Sequence, residues 1–109
     1  MINWGRVSEL QSEVGDVGFE EIVALFLEEA DEVVARICGQ NNPKIIEADL
    51  HFLKGAALNL GFTDFADMCQ EGERLATQGA TTFDFDRLIR LYNSAKTAFA
   101  EGITRFNAA

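Results

Sequence analysis

Phe19-Glu20-Glu21-Ile22-Val23-Ala24-Leu25-Phe26-Leu27-Glu28-Glu29-Ala30-Asp31-Glu32-Val33-Val34-Ala35-Arg36-Ile37 is the stretch that decides the fold class. Its apolar residues Phe19, Ile22, Val23, Phe26, Leu27, Ala30, Val33, Val34 and Ile37 recur at spacings of 3, 1, 3, 1, 3, 3, 1 and 3. That rhythm draws a wide apolar stripe along a helix of about 20 residues. Glu20, Glu21, Glu28, Glu29, Asp31 and Glu32 occupy the other faces. Acids near the start and Arg36 near the end suit the helix dipole. Gly39-Gln40-Asn41-Asn42 stops the helix.

The reading extends outward in both directions. Upstream, Trp4, Val7, Leu10 and Val14 share one helical face, and Gly15-Asp16-Val17-Gly18 breaks that short segment. Downstream, Asn42 followed by Pro43 is a start signal, an N-cap before proline at the first helical position. The helix it opens runs to about Leu60. Its core stripe is Ile46, Leu50, Leu53, Ala57 and Leu60, with Ile45 and Ala56 beside it, and Gly61 is placed to cap its end. Thr63 is expected to cap the next helix, with Asp64 in its first turn and Phe65, Met68, Cys69, Gly72, Leu75 and Ala76 facing inward. After a turn over Gln78-Gly79-Ala80-Thr81-Thr82, a last helix from about Asp84 to Phe106 carries Phe85, Leu88, Ile89, Tyr92, Ala95, Phe99, Ile103 and Phe106. Period-2 alternation is absent. The expected fold is all-α: an antiparallel up-down four-helix bundle with a short additional N-terminal helix laid across one end.

Composition sets the bounds. With 109 residues the chain fits a single domain, 1–109. At this size about 65% of the unfolded surface is buried on folding, enough for one core. A formal net charge of −9 argues against nucleic-acid backbones and anionic membrane surfaces. One histidine and two cysteines, Cys38 and Cys69, do not make a closed zinc site. The cysteines read as reduced core residues, with one disulfide as the alternative. There is no run of 18 apolar residues and no signal-peptide pattern, so a cytoplasmic location is expected.

The chemistry gathers around His51. At about 100° per residue, His51 lies about 160° from Leu53 and points outward from the core stripe. Its neighbours one turn away are Glu47, Lys54 and Gly55. An exposed imidazole is mostly neutral near neutral pH and keeps one nucleophilic nitrogen. A phosphoryl group arriving there brings negative charge that Lys54 can meet. Gly55 sacrifices roughly 1 kcal/mol of helix propensity against alanine, and clears space beside the imidazole. Two plainer readings stand beside this one. A histidine and lysine one turn apart form a common solvated surface pair, and Gly55 also suits close packing of another helix.

His51-Phe52-Leu53-Lys54-Gly55 followed by Leu60-Gly61 resembles the histidine-containing phosphotransfer (HPt) domain motif, His-x-Leu-Lys-Gly-x-x-x-x-Leu-Gly, at every fixed position. The helical pattern around it is similar over essentially the whole chain. The resemblance implies a four-helix bundle that accepts a phosphoryl group on the imidazole, usually at Nε2, from a receiver aspartate or a kinase. It implies onward delivery to another receiver aspartate. By motif position His51 is the phosphoryl acceptor, Lys54 stabilises the phosphoryl group and Gly55 gives steric access. The implied partners are response-regulator receiver domains and a hybrid or other sensor histidine kinase. No cofactor of the chain's own is implied, and Mg²⁺ is expected on the receiver. Phe52, Leu58, Asn59 and Phe62 are the candidate docking rim, with the core as the alternative for Phe52 and Phe62. Ala56 and Ala57 stand where many members have serine. Leu50 precedes the histidine in place of the usual alanine. Glu73 lies near the place where some members carry glutamine, and its charge opposes a phosphoryl group. A non-catalytic helical adaptor for a kinase or receiver is the alternative function.

Overall fold

A computed structural model describes residues 1–108, so the expected domain boundary at residue 109 lies outside the described residues. The described chain is all-helical: α1 Trp4–Ile37, α2 Pro43–Leu60, α3 Thr63–Thr77 and α4 Phe85–Ala108. Its only strand-like feature is an isolated antiparallel bridge between Ile2 and Phe62.

The short N-terminal segment is helical, and a kink at Gly15 separates it from the longer helical run that follows. Within Trp4–Ile37 two helical runs meet at this kink, where only Gly15 leaves helical geometry, at φ 78° and ψ 171°. One glycine in a conformation closed to other residues redirects the axis, and the helix resumes at once. The break expected over Gly15–Gly18 is confined to Gly15. Gly18 keeps its place in the helix. Asn3 caps α1, its side chain accepting from the Arg6 amide at 3.2 Å.

α2 starts and stops as expected. The Asn42 side chain accepts from the Lys44 amide at 3.0 Å, Pro43 opens the helix, and Gly61 ends it in the left-handed region at φ 74°. Only glycine fits at 61, because a Cβ there would sit 2.5 Å from the Asn3 carbonyl oxygen. That close approach lets the Asn3 amide donate to the Gly61 carbonyl at 2.7 Å and ties the start of the chain to the α2–α3 junction. Thr63 does not cap α3. It is the first helical residue, Phe62 holds the cap position, and the Thr63 hydroxyl donates instead to the Met1 carbonyl at 2.7 Å.

The core is built from the expected stripes. Ile37, Leu50, Leu53, Cys69 and Leu88 are fully buried. Phe62 lies between Tyr92 and Phe99, with ring centroids 6.5 and 5.8 Å away. Trp4 stacks on Phe99 and Phe106. The α1 stripe is only partly covered, because Ile22, Val23, Phe26 and Leu27 are half-buried at the edge of the core. Phe19 meets Phe106, and the Tyr92 hydroxyl donates to Asp31 at 2.6 Å. Burial, with the Asp31 carboxylate beside it, pushes the Tyr92 phenol far up. Both cysteines are free, but Cys38 is exposed at the end of α1, which corrects its expected place in the core.

α2 packs on α3 more closely than any other pair of helices does. Gly72 makes this possible. A Cβ at 72 would lie 2.7 Å from Leu50 Cδ1 and 2.9 Å from Phe83 Cζ. Gly72→Ala is therefore expected to destabilise the fold by about 1–3 kcal/mol, an overpacking cost, read as a lower urea midpoint followed by circular dichroism. An unchanged midpoint would show that α2 and α3 separate at no cost.

Candidate functional site

His51 projects from the middle of α2, its side chain 69% exposed. Lys54, one turn later on the same helix, is mostly covered. Across the seam, α3 presents Glu73 to both of them. Glu73 Oε2 lies 2.8 Å from His51 Nδ1, and Glu73 Oε1 lies 2.7 Å from Lys54 Nζ. Glu73 reaches them because its neighbour Gly72 has no side chain to hold α3 away from Leu50. One turn before His51, Glu47 accepts a hydrogen bond from the Thr77 hydroxyl, which extends the polar seam between the two helices.

The electrostatics follow from this geometry. The Lys54 ammonium first, and then the His51 imidazole, hold the Glu73 carboxyl below the usual glutamate range, against the opposing effect of burial. An ionised carboxylate only accepts hydrogen bonds. The 2.8 Å contact therefore requires the hydrogen on Nδ1. In the neutral ring that leaves the lone pair on Nε2. Beneath the site, burial and then the Glu73 charge push the Cys69 thiol up to about 12, so it stays protonated.

Gly55 borders open space: a Cβ there would meet nothing within 4 Å. That disposes of close helix packing as the reason for this glycine. The docking residues divide. Leu58 is exposed, two turns along α2 from His51. Phe52 is half-buried against the edge of the core. Phe62 is corrected to the core: it is 1% exposed and packed between aromatic rings, because the chain turns inward just after Gly61. Asn59 is half-buried and committed locally. Its amide donates to the Gly55 carbonyl at 2.9 Å, and its oxygen accepts from Arg6 at 2.8 Å.

Arg6 is the residue that reading the sequence missed. It also reaches Glu9 and Glu13, each at 3.1 Å, and borders a cleft of about 360 Å³ beside Leu58. The spacing of Arg6 to Glu9 was visible in the sequence, as was its standing as the first base before Arg36. Its bond to Asn59, 53 positions away, was not.

The family model for the Hpt domain matches residues 21–102. The chain belongs to this family. No curated protein and no solved structure gives a match. As an Hpt domain the chain has a phosphotransfer role in two-component signalling, a system in which such domains interact with kinases and response regulators. No described helix of this Hpt domain is long and apolar enough to cross a membrane.

The lowered pKa of Glu73 gives its effect on stability a definite sign. Its contribution to stability is present above the pH at which the unfolded carboxyl ionises, and it is lost as pH falls through the lower folded value. Lys54→Met is expected to move the Glu73 midpoint upward in a carboxyl-carbon NMR titration. A midpoint unmoved by that substitution would mean that Lys54 does not hold the carboxylate.

Proposed function

We propose that this Hpt domain is a phosphoryl carrier of a two-component phosphorelay, with His51 as the acceptor. It takes the phosphoryl group from a receiver aspartate, or from a hybrid or other sensor histidine kinase, and passes it to the aspartate of a response-regulator receiver. The observation that carries the reading is the Glu73 contact at Nδ1, which leaves Nε2 as the nucleophile on an exposed ring.

The transfer follows from these groups. The Nε2 lone pair attacks the phosphorus of the donor's aspartyl phosphate. The N–P bond forms as the P–O bond to the aspartate breaks, and the aspartate leaves as a carboxylate with the bonding electrons. Positive charge develops on the imidazole, and Glu73 stabilises it through the Nδ1–H hydrogen bond. The negative charge that Glu73 brings thus lies on the far side of the ring from the phosphorus. Lys54, paired with Glu73 Oε1 and one turn from His51 on the same helix, supplies the ammonium that meets the phosphoryl oxygens in this scheme. The same steps in reverse deliver the group to a second receiver.

The chain needs no cofactor of its own in this scheme. Mg²⁺ would be held by the receiver and would neutralise phosphoryl charge from that side. Gly55 leaves room for the receiver's active site, while Leu58 and the exposed edge of Phe52 offer apolar contact around it. Asn59 shapes the rim by holding Arg6 against α2. The pairings of Phe19 with Phe106, Asp31 with Tyr92, and Leu50 with Gly72 support an antiparallel up-down order for the helices. The cytoplasm is the compartment this role requires. A non-transferring adaptor would use the same surface, but it needs neither a free Nε2 nor open space at Gly55.

Incubation with a phosphorylated receiver domain is expected to place acid-labile, alkali-stable phosphate on the wild-type chain and none on His51→Gln. Gly55→Leu is expected to slow labelling by roughly tenfold or more, about 1.4 kcal/mol in the barrier, with the circular dichroism spectrum retained. Label that survives in His51→Gln would overturn the assignment.

A further inference from the structure

The side of α3 turned away from His51 forms a second surface. Between α3 and α4 runs a groove of about 630 Å³. Met68, Leu75, Phe83 and Leu91 line its floor, all half-buried and apolar. Phe83 lies over Gly72 and sets one end of that floor. The rim is acidic: Asp64, Asp67, Glu71 and Asp84 border it against the single base Arg87. Asp64 also meets the Met1 amine and Glu71 meets Arg74, which leaves the rim negative on balance.

The groove is independent of the phosphoryl site. At about 100° per residue, its α3 residues lie at least about 120° around the helix from Glu73. From Asp64 to Leu75 the groove is about 16 Å long at ~1.5 Å per residue, the length of three helical turns.

We propose that this groove docks an amphipathic helix of a partner protein, with an apolar stripe flanked by lysine and arginine. The charge of the rim selects the partner. A basic helix gains favourable charge on both edges of its stripe, and an acidic one is repelled. A helix seated there leaves His51 uncovered, so the domain can be held by one protein while it exchanges a phosphoryl group with another.

The test uses the full chain, labelled with ¹⁵N, and two synthetic peptides of about four turns each, patterned as amphipathic helices. One peptide is built from leucine and lysine, the other from leucine and glutamate. The leucine–lysine peptide is expected to shift the amide signals around Met68, Leu75, Phe83 and Leu91. The leucine–glutamate peptide should bind at least roughly tenfold more weakly. Two variants, Leu75→Gln and the exposed charge reversal Asp67→Lys/Glu71→Lys, should each weaken the lysine peptide by roughly tenfold with an unchanged circular dichroism spectrum. The double reversal keeps the test decisive if Leu75→Gln fails to fold. Absence of binding would overturn the proposal. So would strongest shifts along the acidic stretch Glu20–Glu32 of α1 or beside His51, or affinity indifferent to the charge reversal. None of these readouts depends on phosphoryl chemistry.

Discussion

One carboxylate organises the seam between α2 and α3 around His51. Glu73 crosses from α3 to α2 and accepts from His51 Nδ1 while pairing with Lys54. Three consequences follow from that single group. The ring is held in one orientation, its tautomer is set, and the lysine is kept close to the imidazole while no phosphoryl group is bound. In the proposed transfer, a carboxylate on the far nitrogen costs little in repulsion, because the ring separates it from the phosphorus. In that proposed step it also favours the charge that the ring would acquire as the N–P bond forms.

That contact depends on how closely two helices approach. Gly72 lets α3 settle on Leu50, and Phe83 closes over the same glycine from the other side. The glycines of this chain therefore do different work. Gly61 and Gly72 are needed because a Cβ would collide with neighbouring atoms. Gly15 is needed for its dihedral angles. Gly55 stands where nothing collides and helical geometry is kept, so its cost in helix propensity has no return in packing. In the proposed carrier role, access to His51 is the return.

Much of this was legible in the sequence, for identifiable reasons. The stripe through Leu50, Leu53, Ala57 and Leu60 is periodic enough to place His51 outside the core, where it lies. Asn42-Pro43 and Gly61 mark the ends of α2 through local backbone chemistry, so they read correctly. The failures are tertiary. The break expected over Gly15–Gly18 takes one residue rather than four, because a single glycine suffices to turn the axis before the next helical run starts. Phe62 looked available for docking, but its direction depends on the turn after Gly61 and on the aromatic rings of α4 waiting to receive it. Thr63 had the right chemistry for a cap, and the residues at the start of the chain took its hydroxyl instead. Cys38 was assigned to the core by residue type alone, yet it falls where α1 ends. Glu73 was seen as a charge opposed to phosphate. Its true direction, toward Nδ1, comes from the packing of α3 on α2, which no spacing within one helix encodes.

The central claim is that Glu73 fixes the Nδ1–H tautomer and presents Nε2 as the nucleophile. The chain has one histidine, so a long-range ¹H–¹⁵N correlation spectrum of the imidazole reads its tautomer without ambiguity. Above the pH at which the ring is protonated, the account predicts a pyrrole-type Nδ1 and a pyridine-type Nε2, with Glu73→Ala relaxing the ring toward a mixture. A wild-type ring with its hydrogen on Nε2, or a tautomer ratio unchanged in Glu73→Ala, would contradict it.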